Sequence, residues 1–209
     1  MRFEEFRKTV KDLPIIKNGY LKQINRHSPS LNIQLERWTK KGYIIRLRRN
    51  FYLLNSEDKK NGPSKMFIAK EIYSPSYISL EYALSIYGLI PERTMDITSV
   101  TAKKTSKFEN KFGMFIYQHI KENCFKGFIE KKDEAGLAYF IATPEKAVAD
   151  FLYLNKNRFD KNYTDILKES FRFQNTGSLN KRKFKFYVKF FSSRKLSRIA
   201  EAFLKLGDF

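Results

Sequence analysis

Between Ser30 and Asn50 the chain carries a set of side chains of the types that read and grip nucleic acid. Gln34 suits a bidentate contact to adenine, and Arg37 suits the O6 and N7 acceptors of guanine. Ser30, Lys40 and Lys41 suit phosphate oxygens, and Ile33 suits a thymine methyl group. Arg46, Arg48 and Arg49 follow on a basic ribbon with Asn50 at its turn, where they would reach a minor groove or the flanking backbone. If these groups neutralise phosphates, binding should weaken steeply with salt, because each contact releases a condensed counterion. The bland alternative for Arg37, Lys40 and Lys41 is a solvated helix face.

Other residues invite other chemistry. Asp96, with Glu130 and Lys132, has the acid-acid-lysine order by which some nucleases hold a divalent metal and activate water, so a metal-dependent nuclease stays as a remote alternative. With 41 Lys/Arg and 22 Asp/Glu in the chain, such a trio also arises by chance. Ser79 and Thr143 resemble nucleophiles, yet both stand where a helix N-cap is needed. Cys124 is the single cysteine, so no internal disulfide and no cysteine zinc site can form, and His27 and His119 are too few for a histidine metal site. His119, at a strand end, is read as structural. No metal or cofactor is expected, and the chain is not expected to be an enzyme.

The elements that must position the first set are a helix, a stop and a hairpin. Leu31, Leu35, Trp38 and Gly42 fall on one face at helical spacing, leaving the polar set on or beside the other. Ser28 fits an N-cap with Pro29 at the first helical position, and Gly42 ends the helix. From Tyr43 the period becomes two: Tyr43, Ile45 and Leu47 against Ile44, Arg46 and Arg48. Phe51 to Leu54 form the return strand. Upstream, Phe3, Phe6, Val10 and Leu13 make one helical stripe, Pro14 breaks it, and Ile15 to Asn25 supply a second helix with Ile16, Tyr20 and Ile24 buried. Three helices and a basic hairpin predict a winged helix-turn-helix over residues 1–55.

Residues 56–63, polar and ending in Gly62-Pro63, read as a linker. Residues 64–209 form the second domain, α+β over 64–155 and basic and helical over 156–209. Its helices are expected at Lys65 to Tyr73, Leu80 to Tyr87 and Pro144 to about Leu154. Its strands are expected at Ile97 to Thr101, Phe112 to His119, Gly127 to Glu130 and Leu137 to Ala142. In the last third, Phe184, Tyr187, Val188 and Phe191 make a core stripe rimmed by lysines, and the same cations and aromatics would also suit RNA or a second length of DNA. The overall class is α+β.

A content of 42% hydrophobic and 16% aromatic residues argues against wholesale disorder. No run of about 18 apolar residues and no signal-peptide core occurs, so a cytoplasmic protein with no membrane partner is expected. The net charge of +19 calls for anionic partners, nucleic acid first among them. It is uneven: residues 1–61 carry an excess of +9, residues 62–155 of +1 and residues 156–209 of +9. For the C-terminal excess, a lysine-rich composition bias is the competing account.

Two stretches carry a resemblance beyond these patterns. The first is Lys41 to Tyr52; the second is the ordered pair Tyr77-Ile78-Ser79-Leu80-Glu81-Tyr82-Ala83-Leu84 to Glu92 and Thr143-Pro144-Glu145-Lys146-Ala147-Val148-Ala149-Asp150. In order and spacing over residues 1 to about 155, the chain resembles the AbiEi-type antitoxins, winged-helix regulators of type IV toxin–antitoxin and abortive phage-infection operons. Where that family commonly has glycine at the wing tip, this chain has Asn50, which tolerates a left-handed turn. The resemblance implies a first domain that represses its own operon by binding promoter inverted repeats, as a monomer or dimer on DNA. It also implies a second domain that neutralises a nucleotidyltransferase-type toxin, directly or indirectly. A stand-alone winged-helix repressor without a toxin partner is the alternative.

Overall fold

The computed structural model describes residues 2–24, 30–55, 62–160 and 162–206. Ser28, Pro29 and His27, and most of the expected linker, lie outside the described residues. The chain is a mixed α+β protein with two sheets among the described residues.

The N-terminal part runs α1 (Phe3–Val10), β1 (Ile16–Lys17), α2 (Asn18–Ile24), α3 (Leu31–Lys40), β2 (Ile44–Arg48) and β3 (Phe51–Leu54). The strands form an antiparallel sheet in the order β1-β3-β2. Phe6 and Val10 are buried as the α1 stripe predicts, and Leu31, Leu35 and Trp38 as the α3 stripe predicts. Their core is completed by Ile16, Leu21, Ile44, Tyr52 and Leu54. The second helix departs from expectation. Ile16 is buried, but in a strand against Tyr52, and α2 begins only at Asn18. The later start changes the helical phase, so Leu21 is buried and Tyr20 is 40% exposed. The third helix also starts later than the Ser28-Pro29 reading, at Leu31 with Ser30 in the N-cap position. Its end is as expected. Gly42, at φ +73°, donates to the Thr39 carbonyl while Tyr43 donates to that of Trp38, the paired closure of a left-handed helix stop.

The larger part follows as α4 (Lys65–Ile72), β4 (Ser76–Ile78), α5 (Leu80–Ile86), β5 (Ile97–Thr101), β6 (Ser106–Asn110), β7 (Gly113–His119), β8 (Phe128–Lys132), β9 (Ala138–Ala142) and α6 (Pro144–Leu154). A short α7 (Tyr163–Asp165) runs into a π-helical turn, then α8 (Lys181–Phe190) and α9 (Arg194–Leu206) close the chain. The sheet order is β6-β7-β5-β4-β9-β8, with β5/β7 and β4/β9 parallel and the other pairs antiparallel. Strands β5, β7, β8 and β9 stand close to where their β-branched and aromatic runs predict them. The strands not expected are β4, whose three residues are all buried, and β6, a polar edge strand.

Thr143 caps α6 by accepting from the Lys146 amide, with Pro144 in the first turn. Ser79 takes the N-cap position of α5 but does not cap it. The Tyr82 amide donates instead to Thr98 Oγ1, 3.0 Å away on β5, which frees the Ser79 hydroxyl for another partner. Phe184, Val188 and Phe191, with Leu196, Ile199 and Phe203 of α9, enter the same hydrophobic core as the sheet. The lysine-rimmed stripe of the C-terminal third is therefore a packing surface on its inner side.

Hairpin β2–β3 buries both of its faces. Ile44, Tyr52 and Leu54 belong to the N-terminal core, while Ile45, Leu47, Phe51 and Leu53 pack against the larger one. Asn110 Nδ2 on β6 donates to the Leu47 carbonyl at 3.0 Å, and Lys17 pairs with Glu71 at 2.7 Å. One strand pair thus serves two cores, which fixes the hairpin against the edge of the six-stranded sheet.

Candidate nucleic-acid interface

Burial of the Leu31, Leu35 and Trp38 face turns the rest of α3 outward. Ile33 is 54% exposed, Arg37, Lys40 and Lys41 are exposed, and Ser30 is exposed at the start of the helix. Gln34 is different. It is half-buried, its Oε1 enclosed with no hydrogen-bond partner among the described residues. Lys40 lies 3.3 Å from Glu36 one turn earlier, an exposed pair of little energetic weight. The Lys41 ammonium sits 5.9 Å from the centre of the Tyr43 ring.

Between α2, α3 and the hairpin runs an open groove of ≈ 520 Å³. Lys22, Lys40, Arg46 and Arg49 line it, with Glu36 as the opposing acid. The structure therefore gathers Lys40, Arg46, Arg49 and Asn50 of the expected set and adds Lys22. Arg37, Ile33 and Lys41 are outside that lining, on the outer surface of α3. The groove's shape depends on Asn18, a residue that periodicity does not single out. Its backbone amide donates to the Asn50 carbonyl at 2.9 Å, and its Nδ2 donates to Asn32 Oδ1 at 3.1 Å and Asn50 Oδ1 at 3.2 Å. Asn18 is 4% exposed, so these bonds tie the hairpin tip to the first turn of α3 in a partly dry setting. Asn50 makes the turn at φ +69°, the left-handed conformation that its short amide side chain tolerates.

Arg48 does not join the groove cations. Strand alternation places it with Ile44 and Arg46, but the register slips between Arg46 and Arg48, and this bulge carries it to the other side. Its guanidinium lies 4.6 Å from the Phe51 ring centre, 5.0 Å from that of Phe108 on β6 and 5.8 Å from that of Tyr73. Its Nε is buried without a partner among the described residues. Arg48 is a stacked cation in the seam between the two parts of the protein, where it lines a second open pocket with Arg46, Arg49, Lys107 and Glu109.

A second group of polar residues lies deep in the larger core. Asp150 on α6 is 0% exposed and accepts from Tyr77 Oη and Ser79 Oγ, each at 2.9 Å, and from the ammonium of Lys146, itself 1% exposed. That ammonium also lies 4.8 Å from the ring centre of Phe191. Burial pushes the Asp150 carboxyl upward from its usual range, and Lys146 opposes the shift. Burial first, and then Asp150, raises the Tyr77 phenol well above its ordinary value. The cluster is sealed from solvent, and it ties β4 to α6. Ser79 is thus a buried donor to a carboxylate.

The remaining candidates fall apart in space. Asp96 precedes β5, whereas Glu130 and Lys132 are on β8, three strand spacings or about 14 Å across the sheet. No group of three His, Cys, Asp or Glu side chains able to hold a metal occurs among the described residues. Cys124 is buried, donates to the Phe190 carbonyl at 3.2 Å and has its thiol pushed up by burial. His119 Nδ1 is 2.9 Å from the Lys103 carbonyl. No helix among the described residues is long and apolar enough to cross a membrane. The chain matches no protein-family model and no curated protein sequence, so the resemblance rests on its two motifs.

Proposed function

We propose that the chain is a DNA-binding regulator of the antitoxin kind, whose N-terminal part is a winged helix-turn-helix that represses its own operon through promoter inverted repeats. The observation that carries this reading is the basic groove between α3 and the hairpin, with cations from three elements facing one channel. The element order helix, strand, helix, helix, strand, strand and the β1-β3-β2 sheet support it. In this reading Arg37 and Gln34 read base edges, Gln34 only after its enclosed amide turns outward. Arg46 and Arg49 hold phosphates or the minor groove, and Ser30, Lys22, Lys40 and Lys41 hold phosphates.

The second part, in the same reading, neutralises a nucleotidyltransferase-type toxin and catalyses nothing. Support comes from the ordered pair of segments in the resemblance, which meet in one hydrogen-bonded unit: Tyr77 and Ser79 of the earlier segment, Lys146 and Asp150 of the later one. The protein would act in the cytoplasm, where DNA and toxin are found.

The test is binding to the DNA upstream of its own gene against unrelated duplex of equal length, over a salt series, with Arg37→Ala and Arg46→Ala alongside. Tighter binding to its own promoter, relaxed in Arg37→Ala and uniformly weaker in Arg46→Ala, is expected. Equal binding to both duplexes would sink operator recognition. Co-expression with the nucleotidyltransferase encoded next to it should restore growth; with no such gene, the stand-alone repressor takes its place.

A further inference from the structure

Part of the +9 excess of residues 156–209 stands on helix α8, away from the first groove. The hairpin meets the six-stranded sheet at its β6 edge, through Leu47 and Asn110. Helix α8 lies toward the β8 edge: Gly127, just before β8, approaches the Tyr187 ring so closely that a Cβ there would stand 2.5 Å from it. Those edges are five strand spacings apart, about 24 Å.

Helix α8 is KRKFKFYVKF, a run without one acidic residue. Phe184 and Val188 are buried, which turns Arg182, Lys185, Phe186 and Lys189 outward. Arg182 and Lys185 are three residues apart and Lys185 and Lys189 four, so like charges face each other along the helix and repel. Phe186 is 56% exposed and outside the packing stripe, so it adds nothing to the core. It stands edge-on to Phe190, with ring centres 4.8 Å apart, and the Lys126 ammonium lies 3.5 Å from the centre of the Phe190 ring.

We infer that this outer face of α8 binds single-stranded nucleic acid, with Arg182, Lys185, Lys189 and Lys126 along the phosphodiester backbone and one base stacked on Phe186. Cations beside an exposed aromatic ring are what an unpaired strand requires, since it offers both phosphates and free base faces. A duplex hides its base faces inside the stack and leaves Phe186 without a counterpart. An acidic peptide would satisfy the cations but not the ring.

The experiment measures binding of the full-length protein to a labelled 20-nucleotide RNA of mixed sequence, over a salt series. Phe186→Ala should weaken binding about tenfold, the loss of one base–aromatic stack. The triple variant Arg182→Glu, Lys185→Glu, Lys189→Glu should abolish it. The milder triple change to glutamine should flatten the slope of log affinity against log salt by about 2, at roughly 0.7 per phosphate contact. Arg46→Ala, in the first groove, should leave RNA binding unchanged, so a failure of the operator reading does not touch this one. All these positions are exposed, and an unchanged thermal melt shows that the variants fold. Unchanged RNA affinity in Phe186→Ala and the glutamine variant overturns the proposal. So does equal affinity for poly-glutamate that ignores Phe186→Ala, which would assign the face to an acidic protein.

Discussion

The two basic ends of this protein carry the same charge excess and expose it in opposite ways. At the N-terminal end, Lys22, Lys40, Arg46 and Arg49 come from α2, α3 and the hairpin and converge on a groove. At the C-terminal end five of the 14 Lys/Arg stand on the single helix α8, with the exposed Phe186 ring among them. A groove with cations from several elements fixes the path of a stiff, double-stranded partner, whereas a helix face with a stacking ring suits a flexible, unpaired one. Net charge states how strongly a surface attracts polyanions; the arrangement of its carriers decides which kind.

The largest effect expected removes the support beneath the C-terminal surface. Asp150→Ala leaves the Lys146 ammonium buried and unpaired, at a cost of about 3–5 kcal/mol. Because α6 lies between the sheet and α8, the melting temperature should fall and RNA binding should be lost. A variant with an unchanged melt would show that the buried cluster does not hold these elements together.

Arg46→Glu with Arg49→Glu separates the two surfaces. Duplex affinity should drop on the order of a hundredfold at low salt while RNA affinity stays, as two cations become two repelling charges. An equal loss of both ligands would mean that one continuous surface binds either. Asn18→Ala acts on the groove's shape instead of its charge. It removes the amide link between Asn32 and Asn50, a loss of about 1–3 kcal/mol in stability if the partners stay unpaired, and duplex binding should weaken without a change in salt slope.

The seam between the parts gives a smaller and more diagnostic effect. Arg48→Ala and Phe108→Ala should each weaken duplex binding slightly, and the double variant no more than either alone, with a coupling of about 0.5–2 kcal/mol in stability. If Arg48 instead touches phosphate, Arg48→Ala will lower the salt slope and Phe108→Ala will not. Smallest of all is Lys40→Ala. Its ammonium is shared with Glu36, so its loss should alter duplex affinity less than that of Arg46, and a loss equal to Arg46→Ala would show that the pair opens on DNA.

Local signals were legible wherever one residue type has one strong reason to be where it is. Gly42 ends α3 because a left-handed residue is needed there; Thr143-Pro144 opens α6 because the cap and the fixed φ agree; and the α1 and α3 stripes are buried because nothing else covers them. The periods failed where a partner surface overrode them. Ile16 pairs with Tyr52 instead of extending a helix, and Ser79 gives its capping role to Thr98 because Asp150 needs a donor in the core.

What sequence alone determined is therefore the class of the protein, the positions of its strongest helices and strands, and the concentration of charge at its two ends. These follow from composition, from periods within one element and from residues with special backbone geometry. Only the tertiary structure decided that Arg48 packs against Phe108, that Asn18 ties the hairpin tip to α3 and that Asp150 joins Ser79 and Tyr77 to α6. Each of these depends on a contact between elements far apart in the chain or on a one-residue bulge, and no periodic pattern within a single element records either.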